Sequence, residues 1–157
     1  MPYFEAEREA AKIIVVPALG HLYTVAQDGG ARHYYPVFNF RWAPKYVAER
    51  GSKQVKVWLN VISELAKNAS EFVNACDYDI EGSLIGYTIL KYACNSHEKD
   101  AKRMKYSTLT NRELEKAYQN LMPNLDFPLV IAGRTRHEVD WLYGINLSRA
   151  LTLAAAH

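Results

Sequence analysis

The chain has 157 residues, enough for one domain of ordinary size or for one domain with an attached piece of a second. With 49% hydrophobic and 23% charged residues it has the composition of a folded globule, which excludes a disordered segment. Its 19 basic and 17 acidic residues leave a formal net charge of +2, so composition alone barely hints at nucleic acid and any anion site has to come from local arrangement.

In chain order, "KIIVV" at residues 12–16 predicts a strand, because β-branched side chains cluster there. Pro17 and Gly20 turn the chain before "HLYTV", where His21 faces the following cleft with no partner assigned by spacing. The apolar run "KIIVVPALG" is too short to span a bilayer and lacks the features of a signal peptide. Cys76 and Cys94 form no CxxC pattern and read as reduced thiols, so no membrane contact and a cytoplasmic setting are expected. Gly29 and Gly30 mark a loop, and "YYPVFNFRWAP" reads as an edge strand or a loop whose aromatics pack over the core.

Helical spacing of Val57, Leu59, Ile62, Leu65 and Ala66 predicts a helix over "KQVKVWLNVISELAKNA". A strand "EFVNAC", an acidic turn and a helix "GSLIGYTILKYA" follow, the order of an α/β unit with a parallel sheet. After a polar loop, "RMKYST" is a further strand candidate, and Thr110 three residues before Glu113 is a capping box opening the helix "TNRELEKAYQNL". Pro123 interrupts the pattern and marks a domain boundary. The rest, from "DFPLVIAGRT" onward, is predominantly helical and expected to break or bend near Gly144. Both ends read as cut from something longer.

Asp77, Asp79 and Glu81 stand at every second position just past the strand "EFVNAC". Open α/β sheets bind ligands beyond the carboxyl ends of their strands, and in extended backbone residues two apart point the same way, which brings Asp77 and Asp79 together and leaves Glu81 to complete the site or to coordinate through water. Unpaired, the carboxylates would repel one another. Mg²⁺ relieves that conflict, since it takes hard oxygen ligands and commonly bridges one or two carboxylates to a phosphate. Gly82 leaves room for close approach, and the helix beginning beside it offers amide donors. The competing readings are a charged turn that caps the helix, and aspartyl-phosphate chemistry with Asp77 as nucleophile and Asp79 as acid/base. The second of these needs a lysine such as Lys102 or Lys105. A calcium EF-hand is excluded because the acidic twelfth ligand is missing.

Further along, Arg134, Arg136 and His137 stand together near the start of the last helical stretch. Arg136 and Asp140 are four apart, so Asp140 can orient a guanidinium whose donor fork suits phosphate; an ordinary surface pair and a noncatalytic imidazole at His137 are the alternatives. Arg149 is a weaker phosphate candidate, and Trp141 reads as core. No GxxxxGK[ST] loop, GxGxxG, HExxH or GxSxG occurs.

Five segments in order, "VVPALGHLYTV", "YPVFNFRWAPKY", "NACDYDIEGSLIGY", "KRMKYSTLTNRELEKAY" and "AGRTRHEVDWLYGINLSRALT", resemble the Toprim region of the type IA DNA topoisomerases, specifically the archaeal branch. The resemblance implies an α/β Toprim fold: a Rossmann-like parallel sheet flanked by helices, incomplete at the N-terminus, with a C-terminal helical extension. Residues 1–122 would be the Toprim domain lacking its first strand and helix, and 123–157 the start of a helical DNA-binding domain. Asp77, Asp79 and Glu81 fall on the DxDxEG motif that holds Mg²⁺. Arg136 falls on the arginine that contacts DNA phosphate near the cleavage centre and Asp140 on its acidic helix partner; Arg134 and His137 beside it are DNA-contact candidates from the residues alone. The turn departs from the bacterial DPDREGE pattern, with Tyr78 for Pro, Ile80 for Arg and Ser83 for the last Glu, so it carries no arginine of its own.

The activity implied is ATP-independent, Mg²⁺-dependent relaxation of negatively supercoiled DNA by single-strand breakage, strand passage and rejoining through a 5′-phosphotyrosine. Single-stranded DNA and the remaining topoisomerase domains would be partners. No tyrosine here matches the attacking one and no strand matches the one bearing the first catalytic glutamate, so a fragment inactive by itself is expected. The alternatives are a Mg²⁺-dependent phosphohydrolase with Asp77 as nucleophile and a non-enzymatic nucleic-acid-binding module.

Overall fold

A computed structural model describes residues 3–8, 11–31 and 34–155. Strands β1 (Phe4–Arg8) and β2 (Ala11–Val15) form an antiparallel hairpin, Phe4 opposite Val15. The β-branched cluster is thus a strand, but its side chains stay largely outside the core. The hairpin is tied to the body at Arg8, which donates two hydrogen bonds to the Glu115 carboxylate at 3.0 and 2.6 Å and lies over the Tyr118 ring.

Strands β3 (Tyr23–Gln27) and β4 (Phe40–Pro44) pair antiparallel, so the second half of the aromatic segment is a strand. Its first half is loop, fastened to the last helix by Asn146, which accepts from the Val37 amide at 2.7 Å and donates to the Val37 carbonyl at 2.8 Å. Phe40 also meets Trp141 there, with ring centroids 6.0 Å apart, so both aromatics serve packing as expected.

After the single turn α1 (Lys45–Ala48), helix α2 (Lys53–Ala66) buries Trp58, Leu59 and Ile62 against Leu22, Tyr23, Ala93 and Cys94. That face follows from apolar residues recurring at helical spacing, except that Val57, expected on it, is exposed and Trp58 is buried instead. Both cysteines are free thiols.

Strand β5 (Val73–Asn74) pairs in parallel with β6 (Lys102–Arg103), Val73 opposite Lys102 and Asn74 opposite Arg103. This small sheet is the only parallel pairing among the described residues. The fold is mixed α/β as expected, but with a much shorter parallel sheet than the apolar runs suggested. The ladder stops because side chains take over the main-chain groups beyond Asn74: its own Oδ1 accepts from the Cys76 amide at 3.0 Å, and the Arg103 guanidinium binds the carbonyls of Cys76 and Asp77.

Helix α3 (Ile80–Tyr92) lies between two cores and is buried on several sides, at Gly82, Ser83, Leu84, Gly86, Tyr87, Thr88 and Leu90. It begins two residues before the expected Gly82, which puts Glu81 in its first turn. Helix α4 (Asn111–Gln119) starts at the expected cap, with Thr110 Oγ1 accepting from the Glu113 amide at 3.4 Å.

Helix α5 (Phe127–Ala155) runs 29 residues, unbroken through Gly144, where a break or bend was expected. A glycine in a helix interior costs about 1 kcal/mol relative to alanine, too little to interrupt a helix of this length. Gly133 has the opposite importance. A Cβ there would lie 2.9 Å from the Ile80 carbonyl oxygen and 3.1 Å from the Leu84 side chain, so glycine lets α5 cross close over the start of α3. Among the described residues no helix is long and apolar enough to cross a membrane.

Candidate functional site

The acidic turn is built from its glycine outward. A Cβ on Gly82 would lie 2.2 Å from the Asp77 carbonyl oxygen, so only glycine lets the chain at Asp77 fold back over the mouth of α3. Asp79 is the helix N-cap, its Oδ1 accepting from the Gly82 amide at 2.6 Å. The capping reading is therefore realised at Asp79 without using up the carboxylate, because a cap engages one oxygen. Asn74 sits in a cradle under the turn, where a Cβ on Gly86 would come within 2.1 Å of its amide nitrogen.

Arg103 holds the turn from below and was not singled out by any sequence signal, since "RMKYST" reads only as a strand. Fully buried, it donates from Nη1 to the carbonyls of Asn74, Cys76 and Met104 at 2.9, 2.7 and 3.0 Å, and from Nη2 to that of Asp77 at 2.6 Å. Its Nε has no partner among the described residues. Burial pushes the guanidinium's pKa down, but an arginine starts so high that it stays charged at neutral pH. The Tyr78 ring lies 5.1 Å from this guanidinium, and the Tyr78 hydroxyl donates to Asp126 at 2.6 Å. That hydrogen bond is the main reason the Asp126 carboxyl titrates below its usual range. Asp126 also accepts from the Leu129 amide at 3.2 Å, which joins the turn to the beginning of α5.

The three acids divide between two faces. Asp77 and Asp79, both exposed, line an open groove of about 510 Å³ whose other wall is Lys105, Tyr106, Ser107 and Thr108. Glu81 does not line that groove; its Oε2 is 2.6 Å from His21 Nε2 and its Oε1 3.9 Å from Arg136. Among the described residues, no group of three or more His, Cys, Asp or Glu side chains is gathered for a metal ion. The physical reason is local. The two-residue alternation holds for extended backbone, but the helix begins at Ile80 and rotates Glu81 away by about 100° per residue.

Asp77 and Asp79 remain a hard oxygen pair suited to Mg²⁺, which needs only one or two carboxylates when phosphate and water complete its shell. The Asp77 carboxylate accepts no hydrogen bond among the described residues. Glu81, engaged by His21 and Arg136, fits a supporting position reached through water.

The α5 residues separate likewise. Arg136 is exposed and held loosely, 3.9 Å from Glu81 and 3.8 Å from Asp140, so its fork is available. His137 packs inward, 3.2 Å from Thr24 Oγ1, stacked on Trp42 and 5.1 Å from the His21 ring. Burial, with His21 nearby, pushes its pKa down. Arg134 does not join this group. It pairs with Glu138 at 3.1 Å beside Tyr87 and Tyr92, and Glu138 in turn accepts from Trp42 Nε1 at 2.8 Å. Arg149 instead binds the Tyr34 carbonyl and Gln27 Oε1, bracing the loop before β4.

Residues 5–109 match the Toprim domain family. The chain is 49% identical over 154 residues, 98% of its length, to DNA topoisomerase 1 of Pyrococcus horikoshii. It is 45% identical over 152 residues to DNA topoisomerase 1 of Methanocaldococcus jannaschii. Across 104 residues, 64% of the chain, it is 42% identical to DNA topoisomerase 3 of Haemophilus influenzae. These matches cover 22%, 19% and 16% of the respective relatives, so the chain spans less than a quarter of their length. The resemblance carried by the five ordered segments is borne out by these relatives.

Proposed function

The chain belongs to the Toprim domain family, and we propose that it is part of a type IA DNA topoisomerase, an isomerase that relaxes negatively supercoiled DNA by ATP-independent, Mg²⁺-dependent cleavage, strand passage and rejoining in the cytoplasm. Residues 1–122 form its Toprim unit and 123–157 the start of a helical DNA-binding region. None of this chain's tyrosines is assigned the attacking role; that tyrosine and the glutamate of the first strand come from elsewhere in the parent protein. The chain alone is inactive in relaxation.

Asp77 and Asp79 would hold the metal from the end of the parallel strands, with Glu81 in support through water. Bound there, Mg²⁺ supplies positive charge that orients a phosphodiester and offsets its negative oxygens. Arg136 contacts the same DNA backbone from α5, and Asp140 restrains its guanidinium from the other side. His137, stacked on Trp42 and bonded to Thr24, fixes the floor beneath Arg136. Arg134 acts through Glu138 and Trp42 on the placement of α5 rather than on DNA.

The observation that carries this reading is the 3.9 Å approach of Arg136 to Glu81, which sets an exposed guanidinium, paired only loosely with Glu81 and Asp140, beside the acidic turn. Plasmid relaxation by the full-length parent bearing Arg136→Ala tests it. Relaxation should fall by at least tenfold while single-stranded DNA binding weakens only a few-fold, as expected when a donor acts mainly on charge developing in the transition state. Unchanged relaxation would remove Arg136 from the site.

A second reading has one observation in its favour: Lys105 shares the groove with Asp77, as an aspartyl-phosphate mechanism would require. Robust phosphate release from p-nitrophenyl phosphate by the chain with Mg²⁺, abolished by Asp77→Asn, would establish it in place of the first.

A further inference from the structure

We propose that Lys105 is a DNA-phosphate contact, which neutralises a backbone phosphate drawn into the acidic groove from the wall opposite Asp77 and Asp79. The inference rests on the topoisomerase reading of this groove and adds a residue to it.

Charge balance is the first argument. Two carboxylates and one divalent cation sum to zero, so a phosphodiester entering the groove brings one uncompensated negative charge. The turn from Asp77 to Glu81 contains no basic residue, Ile80 being apolar. Arg103 cannot serve, because it is fully buried and its Nη donors are spent on main-chain carbonyls. Lys105 is the one cation among the residues that line the groove.

Geometry is the second. The Lys105 ammonium lies 4.5 Å from the centroid of the Tyr78 ring, a cation–π contact that positions it without consuming its N–H donors. Tyr78 is itself fixed, hydroxyl to Asp126 and ring beside Arg103. The loop bearing Lys105 is pinned to the turn on both sides, by Arg103 donating to the Met104 carbonyl and by the Tyr106 hydroxyl donating to the Ala75 carbonyl at 2.8 Å. Lys105 makes no ion pair among the described residues; its charge acts at longer range on the Asp126 carboxylate, which leaves its N–H donors to an incoming anion.

The test is fluorescence anisotropy of a labelled oligothymidylate with the purified chain in Mg²⁺, as a function of salt. Each phosphate contact on single-stranded DNA contributes about 0.7 to the slope of log K against log salt, roughly a fivefold effect near ~0.1 M. Lys105→Ala should lower the slope by about 0.7 and weaken binding about fivefold, Lys105→Arg should restore both, and circular dichroism should show both variants folded. Lys56→Ala, which removes the same charge from α2 outside the groove lining, should leave the slope in place. Equal effects of Lys56→Ala and Lys105→Ala, or no effect of Lys105→Ala on a chain that binds, would overturn the Lys105 assignment alone. Failure of the unaltered chain to bind would overturn it together with the DNA reading of the groove.

Discussion

The Arg103 guanidinium donates to the Asp77 main-chain carbonyl at 2.6 Å, so the first residue of the acidic turn is positioned by a buried cation 26 residues further along the chain. The carboxylates face outward because their backbone is held from inside. This division of labour explains how a stretch carrying three negative charges keeps a defined shape, and it separates residues that build the turn from residues that act at it.

Replacing Arg103 should therefore damage the fold before it damages any ligand site. Arg103→Met leaves several buried carbonyls without donors, at a cost of roughly 2–4 kcal/mol after partial rearrangement. Arg103→Lys, which keeps the charge but has no fork, should cost less. Urea unfolding of both variants checks the order, and a neutral Arg103→Met would show that the carbonyls find other partners.

The glycines should fall into two groups. Gly133→Ala pushes a methyl against the Ile80 carbonyl and Leu84, and should cost about 1–3 kcal/mol while moving Arg136 away from Glu81. Gly144→Ala meets nothing within 4 Å and should stabilise the chain by about 0.5–1 kcal/mol. Thermal melts distinguish the two, and the same sign for both would contradict the close crossing of α3 and α5.

Asp79 has two roles that substitution can separate. Asp79→Asn keeps an acceptor for the Gly82 amide and should retain stability, whereas Asp79→Ala removes the cap and should cost about 1 kcal/mol. Both should weaken Mg²⁺ binding, read by titration calorimetry. If Asp79→Asn bound Mg²⁺ as the parent chain does, the carboxylate would be a cap and nothing more.

His137 gives the pH dependence. Its pKa is pushed below the ordinary histidine value by burial and by His21, so the folded state holds fewer protons there than the unfolded state. Its contribution is complete above the unfolded value, near ~6.5, and is lost as pH falls from there through the lowered folded value. Melting temperature should accordingly drop between about pH 7 and pH 5, by less in His137→Gln. An identical profile for the variant would mean that other groups carry the acid response.

Local patterns made most of the helices legible. Periodic apolar residues located α2, the Thr110 and Glu113 pair located the start of α4, and the spaced acids located the turn. The contacts that give the turn its shape join residues far apart in sequence, such as His21 with Glu81 and Trp42 with Glu138, and no spacing rule reaches that distance. The alternation that brings Asp77 and Asp79 together ends at the cap, because the chain turns to helix one residue later and carries Glu81 with it. The β-branched run at β2 announced a strand correctly, but alternation carries no information about which partner a strand will find.

The most direct test of the account is relaxation of negatively supercoiled plasmid by the full-length parent carrying Asp77→Asn together with Asp79→Asn, across a Mg²⁺ titration. Loss of Mg²⁺-dependent relaxation with the fold intact by circular dichroism is the predicted result. Relaxation at the unaltered rate and the unaltered Mg²⁺ requirement would contradict a metal site at this turn.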